Sequence, residues 1–181
     1  ASDVYKRQVQ GLSITFDANG GSCDKTGMKV TYGKKAGKLP EPTRDGYSFL
    51  GWYYTKNSQE YELTSDTTIT SSISAYAKWN AFEYMILLDA RSGKCDEESV
   101  FAYCGEKIGD IPTPTRKGYY FGGWYTKPGG KGTLYTDKSL MPSKDFTLYA
   151  KWTKISGYAS KVTLNSTKAT LGVGQKLTLK P

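Results

Sequence analysis

Few residues in this chain are of a type that does chemistry. Tyr53, Tyr76, Tyr125 and Tyr149 stand near lysines and alternate with smaller or apolar residues. An extended strand turns alternate side chains to one face, where rings beside Lys or Arg can stack on sugars or anchor a protein partner. The competing reading is that rings in a small β unit cover a thin core. Carboxylates are scattered over Glu41, Glu60, Glu62 and the run Asp96-Glu97-Glu98. Glycoside hydrolysis needs two carboxyl groups held across a cleft, and no such pair is legible, so no catalytic residue is assigned. Histidine is absent altogether, which removes His-dependent triads, most zinc sites and imidazole acid–base chemistry. The stretch Asp17-Ala-Asn-Gly-Gly21 has the outline of a calcium loop but lacks further oxygen ligands at regular spacing. Asx-turn chemistry accounts for it, and neither metal nor cofactor is expected.

Three cysteines remain, Cys23, Cys95 and Cys104. Cys95 and Cys104 are nine residues apart. In a hairpin, however, Cys104 would lie about 13 Å down the strand from the loop end, whereas a disulfide needs Cα atoms within about 7 Å. A bridge would require the loop to fold back. A buried Cys104 with two loop thiols fits better, and the bridge stays open at this level.

The elements that position these residues are set by an internal repeat. Leu39-Pro-Glu-Pro-Thr-Arg-Asp-Gly-Tyr-Ser-Phe-Leu-Gly-Trp-Tyr53 returns as Ile111-Pro-Thr-Pro-Thr-Arg-Lys-Gly-Tyr-Tyr-Phe-Gly-Gly-Trp-Tyr125, with ten of fifteen positions identical and Trp124 72 residues after Trp52. Two units of about seventy residues follow from this, and units that small need dense aromatic packing or a neighbour. Fifteen Tyr, six Phe and four Trp supply the packing, and twenty Gly point to a turn-rich β protein.

Within unit one, Ile14, Phe16 and Ala18 alternate with polar residues, as do Met28, Val30 and Tyr32. This predicts a hairpin with a loop longer than two residues. The matching positions are Ile86, Leu88, Ala90, Val100, Ala102 and Cys104. Prolines at alternate positions disfavour a regular helix, so any helix should be one or two turns around Lys35–Leu39 and Lys107–Ile111. Third strands are predicted over Tyr47–Tyr54 and Tyr119–Thr126, with the glycine before each Trp permitting a bulge. Asn57-Ser-Gln-Glu60 and Pro128-Gly-Gly-Lys-Gly132 read as exposed loops. The first of the flanking rings, Tyr53 and Tyr54, and their relatives Tyr120 and Tyr125 are expected to face away from the Trp residues.

Each unit closes on Tyr-Ala-Lys-Trp, at 76–79 and 149–152. The offset has grown by one there, which places a gained residue in the variable loop. The expected core comprises Phe16, Phe49, Trp52, Trp79, Leu88, Phe121, Trp124 and Trp152. A connector as short as Asn80–Tyr84 should join the units end to end with restricted freedom. The expected layout is 1–10 disordered or artefactual, 11–80 unit one, 81–153 unit two and 154–181 a linker with two opening strands. Two strands cannot make a stable sandwich alone, so the chain is expected to be part of a longer protein.

The motifs Thr15-Phe-Asp-Ala-Asn-Gly-Gly21, Val30-Thr-Tyr-Gly33, Leu39–Tyr47, Phe49-Leu-Gly-Trp-Tyr53 and Tyr76-Ala-Lys-Trp79 resemble the Listeria–Bacteroides repeat, the B-repeat type of internalin B and many Gram-positive surface proteins. Unit two matches less closely, because Arg91-Ser-Gly93 replaces the Asn-Gly-Gly turn. The resemblance implies a β-grasp-like unit, a small twisted sheet with a short helical element across one face. The tail from Lys161 resembles the opening of a bacterial immunoglobulin-like domain of the intimin-associated group. Both resemblances imply a surface-displayed, multidomain protein whose repeats serve as stalks or weak ligand contacts, with no shared site motif to carry over.

A net charge of +8 either keeps the surface soluble or draws the chain to anionic polymers. No recognition helix, zinc finger or RNP pattern accompanies it, so nucleic acid is not an expected partner. No apolar run approaches a membrane span. The functional expectation is therefore a non-enzymatic, monomeric stalk on a bacterial surface or cell wall. The alternatives are a module binding host glycans, extracellular matrix or cell-wall polymers through the tyrosine face, and an accessory segment of a secreted carbohydrate-active enzyme.

Overall fold

The computed structural model describes residues 11–156. The expectations for residues 1–10 and for an immunoglobulin-like start at Lys161 lie outside them. Among the described residues there is no helix. Ten strands form two five-stranded sheets. Unit one contains β1 (Leu12–Asp17), β2 (Gly27–Val30), β3 (Tyr47–Lys56), β4 (Gln59–Leu63) and β5 (Ile73–Ala81). Unit two repeats them as β6 (Glu83–Asp89), β7 (Ser99–Tyr103), β8 (Tyr119–Lys127), β9 (Lys131–Tyr135) and β10 (Phe146–Lys154).

The strand order is β2-β1-β5-β3-β4, and β7-β6-β10-β8-β9 in the second sheet. The central pairs β1–β5 and β6–β10 run parallel, and every other pair is antiparallel. This is a mainly β, β-grasp-like sheet. A bulge at Phe49–Gly51 breaks the β3–β5 register beside Trp52, and its counterpart falls between Ala150 and Trp152 opposite Gly122-Gly123.

Each sheet buries one face. Ile14, Phe16, Trp52, Ile73, Ala75 and Ala77 alternate into the first core, and Ile86, Leu88, Trp124, Leu148 and Ala150 into the second. Phe49, Trp79, Phe121 and Trp152 are half-buried against these cores. The rings meet edge-on or tilted, with Phe49 5.5 Å from Trp52 and Phe121 5.5 Å from Trp124, the arrangement aromatic quadrupoles favour.

The predicted helical turns are not there. Around Lys35–Leu39 the backbone bonds sideways instead: Gly33 N–H to the Ile69 carbonyl (2.7 Å), Ala36 N–H to Thr67 (2.9 Å) and Gly37 N–H to Ser65 (2.9 Å). Gly37 sits at φ 77°, and Lys35 and Lys107 form bridges to Thr68 and Leu140. Donors already satisfied across the fold cannot also bond i to i−4, so the segment is an extended cover over the core, closed by Ala36 and Ile108.

Three smaller expectations also change. Gln59 and Glu60 belong to β4, and only Asn57 and Ser58, at φ 50° and 62°, make the turn. The gained residue is not in that hairpin. Leu63 and Tyr135 still pair with the matched tryptophans, and Ile69 and Met141 keep the same bond to the segment before them. The extra residue therefore lies in Pro142–Asp145, where the chain re-enters the sheet. Thr153 and Lys154 finish β10 rather than starting a linker.

Candidate functional site: the tyrosine rows and the joint between units

The sheet alternation that buries Trp52 and Ala77 turns Tyr53 and Tyr76 to the opposite, open face, where they are cross-strand partners. Tyr125 and Tyr149 pair identically in unit two. The four rings nominated from the sequence thus form two matched pairs, each half-buried. Tyr54 does not face away from the core: it packs against it and stacks on Tyr61 at 5.7 Å. Tyr120 is exposed, opposite Thr153.

The surroundings of the two pairs differ. In unit one Glu60 accepts the Tyr76 hydroxyl with one carboxylate oxygen and the Lys78 ammonium with the other. Lys78 also lies over the Tyr53 ring at 4.2 Å. The bond from Lys78, and then that from Tyr76, holds Glu60 below the ordinary carboxylate range. Glu60 in turn raises both Tyr76 and Lys78 above their ordinary values. In unit two the matching position is Gly132. Lys151 approaches Tyr125 at 5.5 Å with no such carboxylate between them, and Arg91 approaches Tyr149 at 6.0 Å.

The Leu-Pro-x-Pro-Thr-Arg stretch has a positional role. Pro40 and Pro112 offer their carbonyls to the indole N–H of Trp52 (2.8 Å) and Trp124 (2.9 Å). Trp79 and Trp152 donate to the Ala18 and Ala90 carbonyls at 3.0 and 2.8 Å. Arg44 reaches the Asn19 carbonyl at 3.2 Å and lies 3.9 Å over the Tyr47 ring. Arg116 does the same to Arg91 and Tyr119. The internally repeated Pro, Arg and Trp residues therefore lock the loops to the sheet, which is a structural duty.

The connector between the units is as short as the sequence suggested, and it is bonded in a way the sequence did not show. β5 and β6 are separated by a single residue, Phe82. Its N–H donates to the Gly46 carbonyl and its carbonyl accepts from Cys104 N–H, both at 2.9 Å, so the connector is bonded to both units. The Tyr47 hydroxyl donates to the Cys104 carbonyl at 2.7 Å, and the Ser143 hydroxyl donates to Asp45. Tyr84 lies beside them. Burial, and then the charges of Cys104, Asp45 and Asp145, raises its hydroxyl above the ordinary phenol value. Cys104 is 7% exposed although it belongs to neither core, while its counterpart Tyr32 is 44% exposed. Unit one covers Cys104. All three thiols are free.

The same socket recurs at the far end of unit two, where Ile155 N–H donates to the Gly118 carbonyl at 3.0 Å. The signal for the joint was in the sequence: Cys104 interrupts the repeat at a position where unit one carries Tyr32.

No helix of the described residues is long and apolar enough to cross a membrane. Among the chain's relatives, a membrane protein of Evansella cellulosilytica is 29% identical over 167 residues, covering 88% of this chain and 25% of the relative. A Gly-rich membrane protein of the same organism is 29% identical over 149 residues, covering 80% and 16%. Internalin H of Listeria monocytogenes is 30% identical over 154 residues, covering 83% and 27%. The chain therefore spans about a quarter or less of the length of these relatives. The sequence pattern of the Listeria-Bacteroides repeat domain matches residues 13–78 and again residues 84–151. With two copies over most of its length, the chain belongs to the Listeria-Bacteroides repeat family.

Proposed function

We propose that the chain is a non-enzymatic spacer, a repeat segment of a bacterial cell-surface protein that holds a more distal domain away from the envelope. The observation that carries this reading is the joint. A one-residue connector with both backbone groups bonded, flanked by the Tyr47–Cys104 and Asp45–Ser143 bonds, limits bending between successive sheets. Inter-domain motion is the default when an interface is small and polar; here the backbone itself crosses the joint without slack. The relatives named as membrane proteins and as an internalin support placement in the cell envelope.

A second reading has one observation in its favour. Tyr125, Tyr149 and Lys151 present rings and a cation on the open face without the carboxylate that occupies the same place in unit one. Such a face suits an anionic glycan or a host receptor.

Passing the chain over immobilised sulfated glycans, neutral glycans and extracellular-matrix proteins at low and physiological salt separates the two. A spacer of net charge +8 is retained on sulfated glycan at low salt and released at physiological salt. Retention that survives physiological salt and disappears in Tyr125→Ala or Tyr149→Ala contradicts the spacer reading.

A further inference from the structure

The open faces of the two sheets have the same backbone and different surfaces. On β1 and β2 the outward positions, with the residues flanking those strands, are Gly11, Ser13, Thr15, Asp17, Lys25, Gly27, Lys29 and Thr31. The matching eight in unit two are Glu83, Met85, Leu87, Asp89, Glu97, Ser99, Phe101 and Tyr103. One carboxylate and two lysines become three carboxylates and no lysine, and Ser13, Thr15 and Lys29 give way to Met85, Leu87 and Phe101. Leu87, Phe101 and Tyr103 are 45%, 56% and 54% exposed. Met85 lies directly across from Phe101. Asp145 joins the rim, its carboxylate accepting the Met85 N–H at 2.8 Å. Unit one folds into the same sheet without any of this apolar surface, so the sheet does not require it.

The patch borders an edge. β7 is the outermost strand of its sheet. Leu88 N–H bonds to the Glu98 carbonyl (2.8 Å) and Cys104 N–H to the Phe82 carbonyl (2.9 Å), so the even-numbered residues of β7 face β6. Antiparallel alternation then points the N–H and C=O groups of Ser99 and Phe101 out of the sheet. Among the described residues nothing pairs with them. Natural edges are commonly blunted by lysine. Lys29 does this at the centre of the equivalent edge in unit one, and Phe101 stands there in unit two. A hollow of about 640 Å³ opens alongside, lined by Leu87, Asp89, Glu97 and Thr147, with Arg91 ion-paired to Asp89 and Lys94 also in its wall.

We infer that β7 accepts an added strand from an extended polypeptide whose side chains on one face are apolar at the centre and basic at both ends. Strand addition takes its affinity from backbone bonds along the edge and its specificity from alternate side chains. Here one face of the added strand turns to the patch: its central apolar side chains lie beside Phe101 and toward Met85 and Leu87, and Lys or Arg at the flanking positions of that same face reaches Asp89 and Glu97 at one end and Glu83 at the other. A second copy of this chain is the poorer occupant. Pairing two β7 strands antiparallel about Phe101 would bring Glu97 of one copy to the end of the ladder that carries Glu83 of the other, at both ends, with no lysine among those positions.

The test is a fluorescence-anisotropy titration of the whole chain with a labelled peptide of about ten residues built on Lys-Thr-Val-Thr-Val-Thr-Lys, whose lysines and valines share one face. The same peptide with Glu in place of Lys is the control. The lysine peptide is expected to bind at least about tenfold more tightly than the glutamate peptide. Phe101→Lys is expected to weaken it by at least about tenfold, and Leu87→Thr by less. Both replacements install the residue unit one already tolerates, and unchanged circular-dichroism melts exclude unfolding as the cause. No binding, equal binding of the two peptides, or full binding by Phe101→Lys overturns the inference. So does a doubled mass in sedimentation that Phe101→Lys abolishes, because the edge then takes a second copy.

Discussion

Phe16 and Leu88 occupy one place in the two units, and Ala75 and Leu148 occupy another directly across the parallel ladder. Unit one fills the space with a large ring against a methyl group, its ring centroid 4.7 Å from that of Trp52. Unit two fills it with two leucines. Volume has been conserved across the pair while both members changed, as close-packed interiors require. Elsewhere the core is less strictly compensated: Ala36 and Val30 become Ile108 and Ala102, but Leu63 and Ile73 both enlarge, to Tyr135 and Phe146, whose rings meet at 5.0 Å and are only half-buried. The outer faces show no such compensation. Glu60 becomes Gly132, Lys29 becomes Phe101 and Thr15 becomes Leu87, each changing the surface outright. Packing constrains the buried side of the sheet jointly, whereas the solvent side is free to diverge.

The largest expected effect is common to both units. Trp52 and Trp124 are each 2% exposed, and each donates to a proline carbonyl. Trp52→Ala and Trp124→Ala should each destabilise their own unit by about 3–5 kcal/mol in urea denaturation. A large asymmetry between them would break the claim of equivalent cores.

Next comes the joint. Gly46 and Gly118 hold nearly the same backbone, φ 81° and 80°, but a Cβ at Gly46 would collide with Cys104 and Ser143, whereas at Gly118 nothing among the described residues lies within 4 Å. Gly118→Ala should therefore cost only the left-handed backbone penalty, about 1–2 kcal/mol. Gly46→Ala should cost about 1–3 kcal/mol more, or part the units. Equal melts and equal hydrodynamic radii for the two variants would mean that the joint is not packed.

The core exchange can be tested by making unit one resemble unit two. Ala75→Leu alone overpacks by about 1–3 kcal/mol, and Phe16→Leu alone leaves a cavity costing about 1–2 kcal/mol. Together they should cost at least about 1 kcal/mol less than their sum in a double-mutant cycle. A smaller effect is expected at the first loop of unit two, where Ser92 sits at φ 68° in the place of Gly20. Ser92→Gly should raise the stability of unit two by about 1 kcal/mol, read from its unfolding midpoint.

The smallest effect is the pH dependence of the clamp. Glu60 is lowered below the ordinary carboxylate value by Lys78 and then Tyr76. Its stabilisation is full above that ordinary value and is lost as pH falls through the lowered one. Lys78 and Tyr76 are raised, so their share is full below their ordinary values and is lost at alkaline pH. Thermal melts across the acid range should show unit one losing this increment and Glu60→Gln lacking it. An identical acid profile in Glu60→Gln would remove the clamp from the account.

Much of the sheet was legible because alternation and the 72-residue offset reinforce each other. Ile14 with Ile86 and Trp52 with Trp124 could be placed on the buried face from spacing alone. The paired tyrosines were legible for the same reason, since residues one step out of phase with Trp52 and Ala77 must face outward. The cover segment was misread because its hydrogen bonds go to residues 65–69, a partnership that local propensity does not encode. Gly33 and Gly37, both at positive φ, were the available warning. The burial of Cys104 was expected from the sequence, but what buries it was not, because the cover comes from the neighbouring unit. Glu60 was set aside because no second carboxylate could be placed across a cleft from it, yet its replacement by Gly132 is what separates the two tyrosine pairs.

The account rests most heavily on the joint, and residual dipolar couplings of the weakly aligned chain test it directly. Backbone N–H couplings from residues 12–81 and 83–154 are expected to fit a single alignment tensor, and Gly46→Ala is expected to split that fit. Two tensors of clearly different magnitude in the unmodified chain would show the units reorienting about Phe82 and would contradict the spacer.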